Sequence, residues 1–104
     1  MKSIFITIIL TTLSFTVLAQ TDQNKSEILR ALQNFETAII DSDSIIAENL
    51  LDAHAWIVEG GQIETKEEYL SHHFYSDGEF LSVMNREVIS QEVFVNRETA
   101  WITT

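Results

Sequence analysis

The stretch His54–Leu70, HAWIVEGGQIETKEEYL, changes its pattern twice, and its reading decides the fold class. His54–Glu59 is dense in aromatic and β-branched residues, the side chains that suit a pleated, half-buried surface. Gly60 and Gly61 follow, and glycine enters positive φ without steric cost, so the strand should end in a tight turn. Thr65-Lys66-Glu67-Glu68 is a T-x-x-E box, in which the threonine hydroxyl and the glutamate carboxylate accept reciprocally from backbone N–H groups at a helix start. The box predicts a helix beginning at about Lys66.

Upstream, residues 24–40 carry Ile28, Leu32, Phe35 and Ile39, with Ala31 and Ala38 beside them, at the 3, 4, 7 spacing of an amphipathic helix. Glu27, Arg30, Gln33, Asn34 and Thr37 occupy the other face. Residues 41–44, DSDS, are rich in capping oxygens and predict a second, shorter helix through Ile46, Leu50 and Leu51. Downstream, residues 86–96 (REVISQEVFVN) and 98–104 (ETAWITT) are β-rich runs separated by a polar turn around Asn96 and Arg97, the pattern of an antiparallel hairpin. Helix, helix, strand, helix, strand, strand is the order of an α+β domain. With no proline, no internal repeat and glycine only at positions 60, 61 and 78, residues 20–104 form one domain without a linker.

Residues 1–19, MKSIFITIILTTLSFTVLA, have a different character. Lys2 gives a positive start, Ile4–Leu18 is an uncharged and mostly apolar run, and Ala19 precedes the polar Gln20, the anatomy of a secretory signal peptide. A permanent span needs about 20 apolar residues, more than this threonine-thinned run supplies. The domain is therefore expected to be secreted or periplasmic, with no membrane attachment after cleavage. The chain has no cysteine, which excludes disulfides, thiolate metal sites and a lipid anchor on a cleavage-site cysteine. Loss of residues 1–19 removes Lys2 and no acid, carrying the net charge from −10 to −11. Such a charge is repelled by phosphate backbones and by anionic lipid surfaces, so nucleic acid is not an expected partner.

Residues 28–73, from Ile28 through HAWIVEGGQIETKEEYLSHH, resemble the first half of a SnoaL-like domain of the nuclear transport factor 2-like superfamily. The likeness rests on a long first helix ending near Asp41-Ser42-Asp43, a short helix ending in Leu50-Leu51-Asp52, an apolar strand, a glycine turn and a helix opened by Thr65-Lys66-Glu67-Glu68-Tyr69. As a pattern of spacing and turns it extends over residues 24–104. The resemblance implies helices packed on a strongly bent antiparallel sheet, a cystatin-like cone with a mostly apolar pocket. It also implies two further long strands after the hairpin, so the chain reads as C-terminally partial, with an open sheet edge beside Trp101 through which a homodimer would form. In ketosteroid-isomerase-like relatives a carboxylate at the end of the first strand removes a proton next to a carbonyl, and Glu59 falls close to that place.

The remaining candidates come from the residues themselves. Continued regularly from Lys66, the helix would align Leu70, Phe74, Leu81 and Met84 on one face, with His73 at its edge and His72 toward solvent. Adjacent helical residues diverge, so His72 and His73 are not expected to share a metal ion, and neither a metal nor a cofactor is implied. His73 and Asp77, four apart, would meet as an imidazole oriented by a carboxylate, the arrangement of a general base. Alternatively, Ser76-Asp77-Gly78-Glu79 is a second capping box, ending one helix near Tyr75 and starting another at Asp77. His54 reads as a strand residue. Trp56, Tyr69, Phe74, Phe94 and Trp101 either line an apolar ligand pocket or fill the core. Two functions follow: an exported domain that binds a small apolar ligand or a protein partner, or a small isomerase, dehydratase or cyclase with Glu59 or His73 as base. Export predicts that mass spectrometry of protein recovered outside the cytoplasm finds an N-terminus at or within a few residues of Gln20; an intact Met1 there overturns it.

Overall fold

The computed structural model describes the backbone of residues 2–104 and the side chains of residues 20–104. Met1 and the side chains of the apolar run, on which the export expectation rests, lie outside the described residues. The chain is α+β, in the order α1 (Lys2–Ile40), α2 (Ser44–Leu50), β1 (Trp56–Glu59), β2 (Gln62–Thr65), α3 (Lys66–Ser71), α4 (His73–Val83), β3 (Glu92–Asn96) and β4 (Thr99–Thr103). No helix of the described residues is long and apolar enough to cross a membrane. Residues 31–89 form one compact unit and residues 1–30 with 90–104 the other.

Each local signal has a structural counterpart. Asp43 caps α2, its side chain accepting from the Ile46 backbone N–H at 3.1 Å. The Thr65 box closes in both directions: Glu68 N–H donates to Thr65 Oγ1 at 3.2 Å, and Thr65 N–H donates to Glu68 Oε2 at 2.8 Å. Lys66, the next residue, donates its Nζ to the carbonyls of Glu48 and Leu51 at 2.7 and 3.0 Å. It thus satisfies acceptors left open at the C-terminal end of α2, where a cation is favoured.

The strands form two antiparallel pairs, β1 with β2 and β3 with β4, where the resemblance implies one bent sheet. In the first hairpin Gly60 (φ 55°) and Gly61 (φ 80°) both occupy the left-handed region, as a two-residue turn with matching twist requires. Glu59 lies opposite Gln62 and Trp56 opposite Thr65, so Gln62–Thr65 is a strand that the sequence reading passed over. The second hairpin turns on Arg97 (φ 57°), and its register puts Glu92 opposite Thr103. Residues 86–91 have no opposing strand in that register, so β3 begins at Glu92, not at Arg86. The first strand likewise begins at Trp56, leaving His54 outside it.

The buried core of residues 31–89 consists of Ala38 and Ile39 from α1, Ala47 from α2, Tyr69 from α3 and Phe74 from α4, with Phe35, Ile57, Leu70 and Leu81 packed against it. The helix that begins at Lys66 is broken at His72 (φ −135°, ψ −70°), so it neither continues regularly nor ends near Tyr75, the two alternatives read from the sequence. Ser71 Oγ donates to the Glu67 carbonyl at 2.6 Å, a back-bond one turn up the helix that favours bending. Five residues on a straight helix would separate Tyr69 and Phe74 by about 140°. The break turns both inward, and their rings meet edge to face at 6.1 Å.

Met84, assigned by regular spacing to the core face, is exposed, because α4 ends at Val83 and the backbone of Met84 is already extended (ψ 142°). The second capping box does not form: α4 runs unbroken through Ser76–Glu79, and Ser76 Oγ donates to the His73 carbonyl at 3.0 Å. Gly78 serves helix packing instead, because a Cβ there would overlap the Ile39 carbonyl oxygen at the end of α1. On an open helix surface glycine to alanine stabilises by about 1 kcal/mol. At this contact overpacking reverses the sign, and Gly78→Ala is expected to destabilise by about 1–3 kcal/mol, read as a lower thermal midpoint.

Candidate functional site

Alternation along the β1–β2 hairpin assigns its side chains to two faces. Ile57 and Glu59, with their partners Glu64 and Gln62, share one face; Trp56, Val58, Ile63 and Thr65 share the other. Ile57 joins the core, and beyond it Glu59 and Glu64 stand at the start of α4. Glu59, Gly60, Gln62, Glu64, His73 and Asp77 line a hollow of about 280 Å³. The three residues proposed from the sequence as catalytic candidates, Glu59 and His73 as bases and Asp77 as the carboxylate orienting His73, therefore line one hollow.

The pairing inside it differs from the sequence reading. His73 Nδ1 lies 2.7 Å from Glu64 Oε2, with the Glu64 side chain only 16% exposed and that of His73 49%. An ionised carboxylate only accepts, so Nδ1 is the donor and the neutral ring carries its lone pair on Nε2. Asp77, the partner expected for His73, accepts instead from the Tyr69 hydroxyl at 2.9 Å. The break at His72 accounts for the exchange: it places His73 in the first turn of α4, where it reaches β2, and leaves Asp77 one turn on, where it meets the hydroxyl of inward-turned Tyr69.

Charge in the hollow is one-sided. Three carboxylates line it, with one imidazole and no lysine or arginine. The hydrogen bond and charge of Glu64 raise the His73 pKa above its ordinary 6.5, with smaller contributions from Asp77 and Glu59. Burial first, and then the hydrogen bond to Asp77, push the Tyr69 hydroxyl well above its usual 10.0. Tyr69 therefore remains a proton donor to Asp77 throughout the physiological range.

The other candidates stand elsewhere. His54 is almost fully exposed in a turn, its N–H donating to Asp52 Oδ1 at 2.8 Å, and its ring lies 3.6 Å from the same oxygen. His72 is exposed at the helix break. Of the five aromatics read as pocket or core, Tyr69 and Phe74 are buried core residues. Trp56 is 66% exposed on the outer face of the first hairpin. Phe94 and Trp101 stack on each other across the second hairpin, ring centroids 5.3 Å apart. Among the described residues no group of three or more His, Asp and Glu is arranged to hold a metal ion.

Glu64 was missed in the sequence. Gly60-Gly61 between Glu59 and Gln62 is a two-residue hairpin signal, and reading it would have put Glu64 on the face of Glu59. Comparison with protein-family models, with curated proteins and with solved structures finds no match.

A raised pKa means that folded protein holds the His73 proton more tightly than unfolded chain does. This contribution to stability is full below about pH 6.5, the unfolded value, and is lost as pH rises through the folded pKa. NMR titration of the His73 ring should give a midpoint above the ordinary imidazole value of about 6.5, and Glu64→Gln should bring it down toward that value. An unmoved midpoint in Glu64→Gln would show that the carboxylate does not hold the imidazole in solution.

Proposed function

We propose that the hollow is a proton-transfer site for a small substrate, with His73 as the base, Glu64 as the residue that orients it, and Asp77 and Glu59 as the surrounding charge. The observation that carries this reading is the 2.7 Å contact between His73 Nδ1 and the largely buried Glu64 carboxylate, which leaves Nε2 to take a proton. The charge balance selects the substrate. Removing a proton from a neutral carbonyl compound creates an anion, which a hollow with three carboxylates and no lysine or arginine disfavours. Removing one from a compact cation leaves a neutral product. A bound cation also lowers the His73 pKa and so frees the base form at constant pH.

In this reading the chain is an exported SnoaL-like domain, consistent with the range of isomerase, dehydratase and cyclase chemistry found in such cones. Fold likeness alone does not decide among those reactions. Glu59 supplies field and contact in this scheme and is not the base suggested by relatives with a carboxylate at the end of the first strand.

The second reading, binding without chemistry, is favoured by the exposed apolar face of the first hairpin, on which Trp56, Val58 and Ile63 stand. A small apolar ligand is the less supported occupant, because Tyr69 and Phe74 are committed to the core.

The proton-transfer reading is tested by deuterium incorporation from solvent, followed by NMR, into small compounds with acidic C–H bonds, in pairs with and without a cationic group. Catalysed exchange is expected for the cationic member of each pair, falling by about 100-fold or more in His73→Gln. Exchange that is unchanged in His73→Gln, or absent across the series, overturns the assignment.

A further inference from the structure

Trp56, Val58 and Ile63 form a continuous apolar strip on the face of the β1–β2 hairpin that points away from the core and the hollow. Val58 and Ile63 are directly opposed across the ladder, and Trp56 is two residues along from Val58. Their exposures are 66, 69 and 65%, whereas isolated exposed apolar residues are ordinary and a contiguous strip of large ones is not. At Ile63 the strip runs into a groove of about 590 Å³ lined also by Glu64, Glu67, Glu68, Ser71, His72 and His73. Glu67 and Glu68 stand in the first turn of α3, and the hydrogen bonds from Thr65 hold the Glu68 pKa below its ordinary value. The one lysine nearby, Lys66, has its Nζ turned to the carbonyls of α2.

We propose that this strip and its acidic rim form a docking face for a basic peptide segment in which apolar and cationic residues alternate. The apolar residues cover Trp56, Val58 and Ile63, and the cationic ones reach Glu67 and Glu68. Alternation matches the occupant to the ladder, since an extended segment presents every second side chain to one face. Trp56 adds an attractive surface for a lysine or arginine at the edge of the contact. Charge excludes the main competitors. A second copy of the chain carries the same acidic rim and a net charge of −10, and anionic lipid or nucleic acid meets the same repulsion. Trp56, Val58 and Ile63 lie on the opposite side of the hairpin from Ile57, Glu59 and Gln62, but Glu64 and His73 line both the groove at Ile63 and the hollow, so a segment that fills the groove also meets the His73–Glu64 pair.

The experiment uses the whole chain with Trp101→Phe, leaving Trp56 as the one tryptophan reporter, and a short synthetic peptide of alternating lysine and valine. Binding should shift Trp56 emission, weaken as salt is raised, and fall by about tenfold in Val58→Lys and in Glu67→Lys. Ile45→Lys, which changes an equally exposed apolar residue on α2, should leave it intact. Failure of the lysine–valine peptide to bind, or equal binding by a glutamate–valine peptide, overturns the proposal. So does a dimer of the protein alone that Val58→Lys dissolves, because the face then belongs to a second copy.

Discussion

The contact on which residues 31–89 depend is the approach of α4 to the end of α1 at Gly78. A helix with a side chain at that position would be held off by the Ile39 carbonyl. With glycine there, the backbone comes close enough for Phe74, one turn earlier, to be fully buried beside Ala38 and Ile39. Ser42 Oγ faces the same glycine and sits at a positive φ of 54°, in the tight turn that leads from α1 to α2. One small residue thus lets α1 end, the chain turn and α4 pack in the same place. Core packing is intolerant of added volume, so position 78 carries more of the fold than its own lack of side chain suggests.

The geometry of the candidate site is downstream of that contact. Once Phe74 is seated, the direction of α4 is set, and a straight continuation from α3 would swing Tyr69 away from the core. The chain breaks at His72 instead, which places the first turn of α4 beside β2 and brings Asp77 under the Tyr69 hydroxyl. Two acid pairings result, an imidazole with Glu64 and a phenol with Asp77, in place of the His73–Asp77 pair that regular helical spacing implies. Those pairings also explain how several carboxylates coexist in one hollow: Glu64 and Asp77 each accept a hydrogen bond that offsets part of their mutual repulsion.

How much of this was legible in the sequence follows from the range of each determinant. The capping box at Thr65, the capping aspartate at Asp43 and the glycine turn at positions 60 and 61 act within a few residues, and all three stand where their residues indicate. The α+β class follows from them. The break at His72 and the role of Gly78 arise from contacts between segments some 40 residues apart in sequence, Ile39 with Gly78, and no local pattern encodes such a contact. Ser76–Glu79 illustrates the conflict: its residues fit a cap, but a continuous helix is what lets Gly78 lie against α1. The site was half legible for the same reason. Glu59, His73 and Asp77 were named from their own neighbourhoods, whereas Glu64 joins them only through a strand pairing across the turn.

That pairing also sets the two faces of the first hairpin. Because successive residues of a strand point to opposite sides, the register that pairs Glu59 with Gln62 sends Ile57, Glu59 and Glu64 to the core and hollow and Trp56, Val58 and Ile63 outward. A slip of one residue would bury the tryptophan side and expose the acids, removing His73's partner and the outer apolar strip together. Gly60 and Gly61 prevent it, since both turn residues need positive φ and neither Glu59 nor Gln62 could take that place without strain. The glycine pair therefore fixes more than a reversal of direction: through the register it determines which chemistry each side of the hairpin presents.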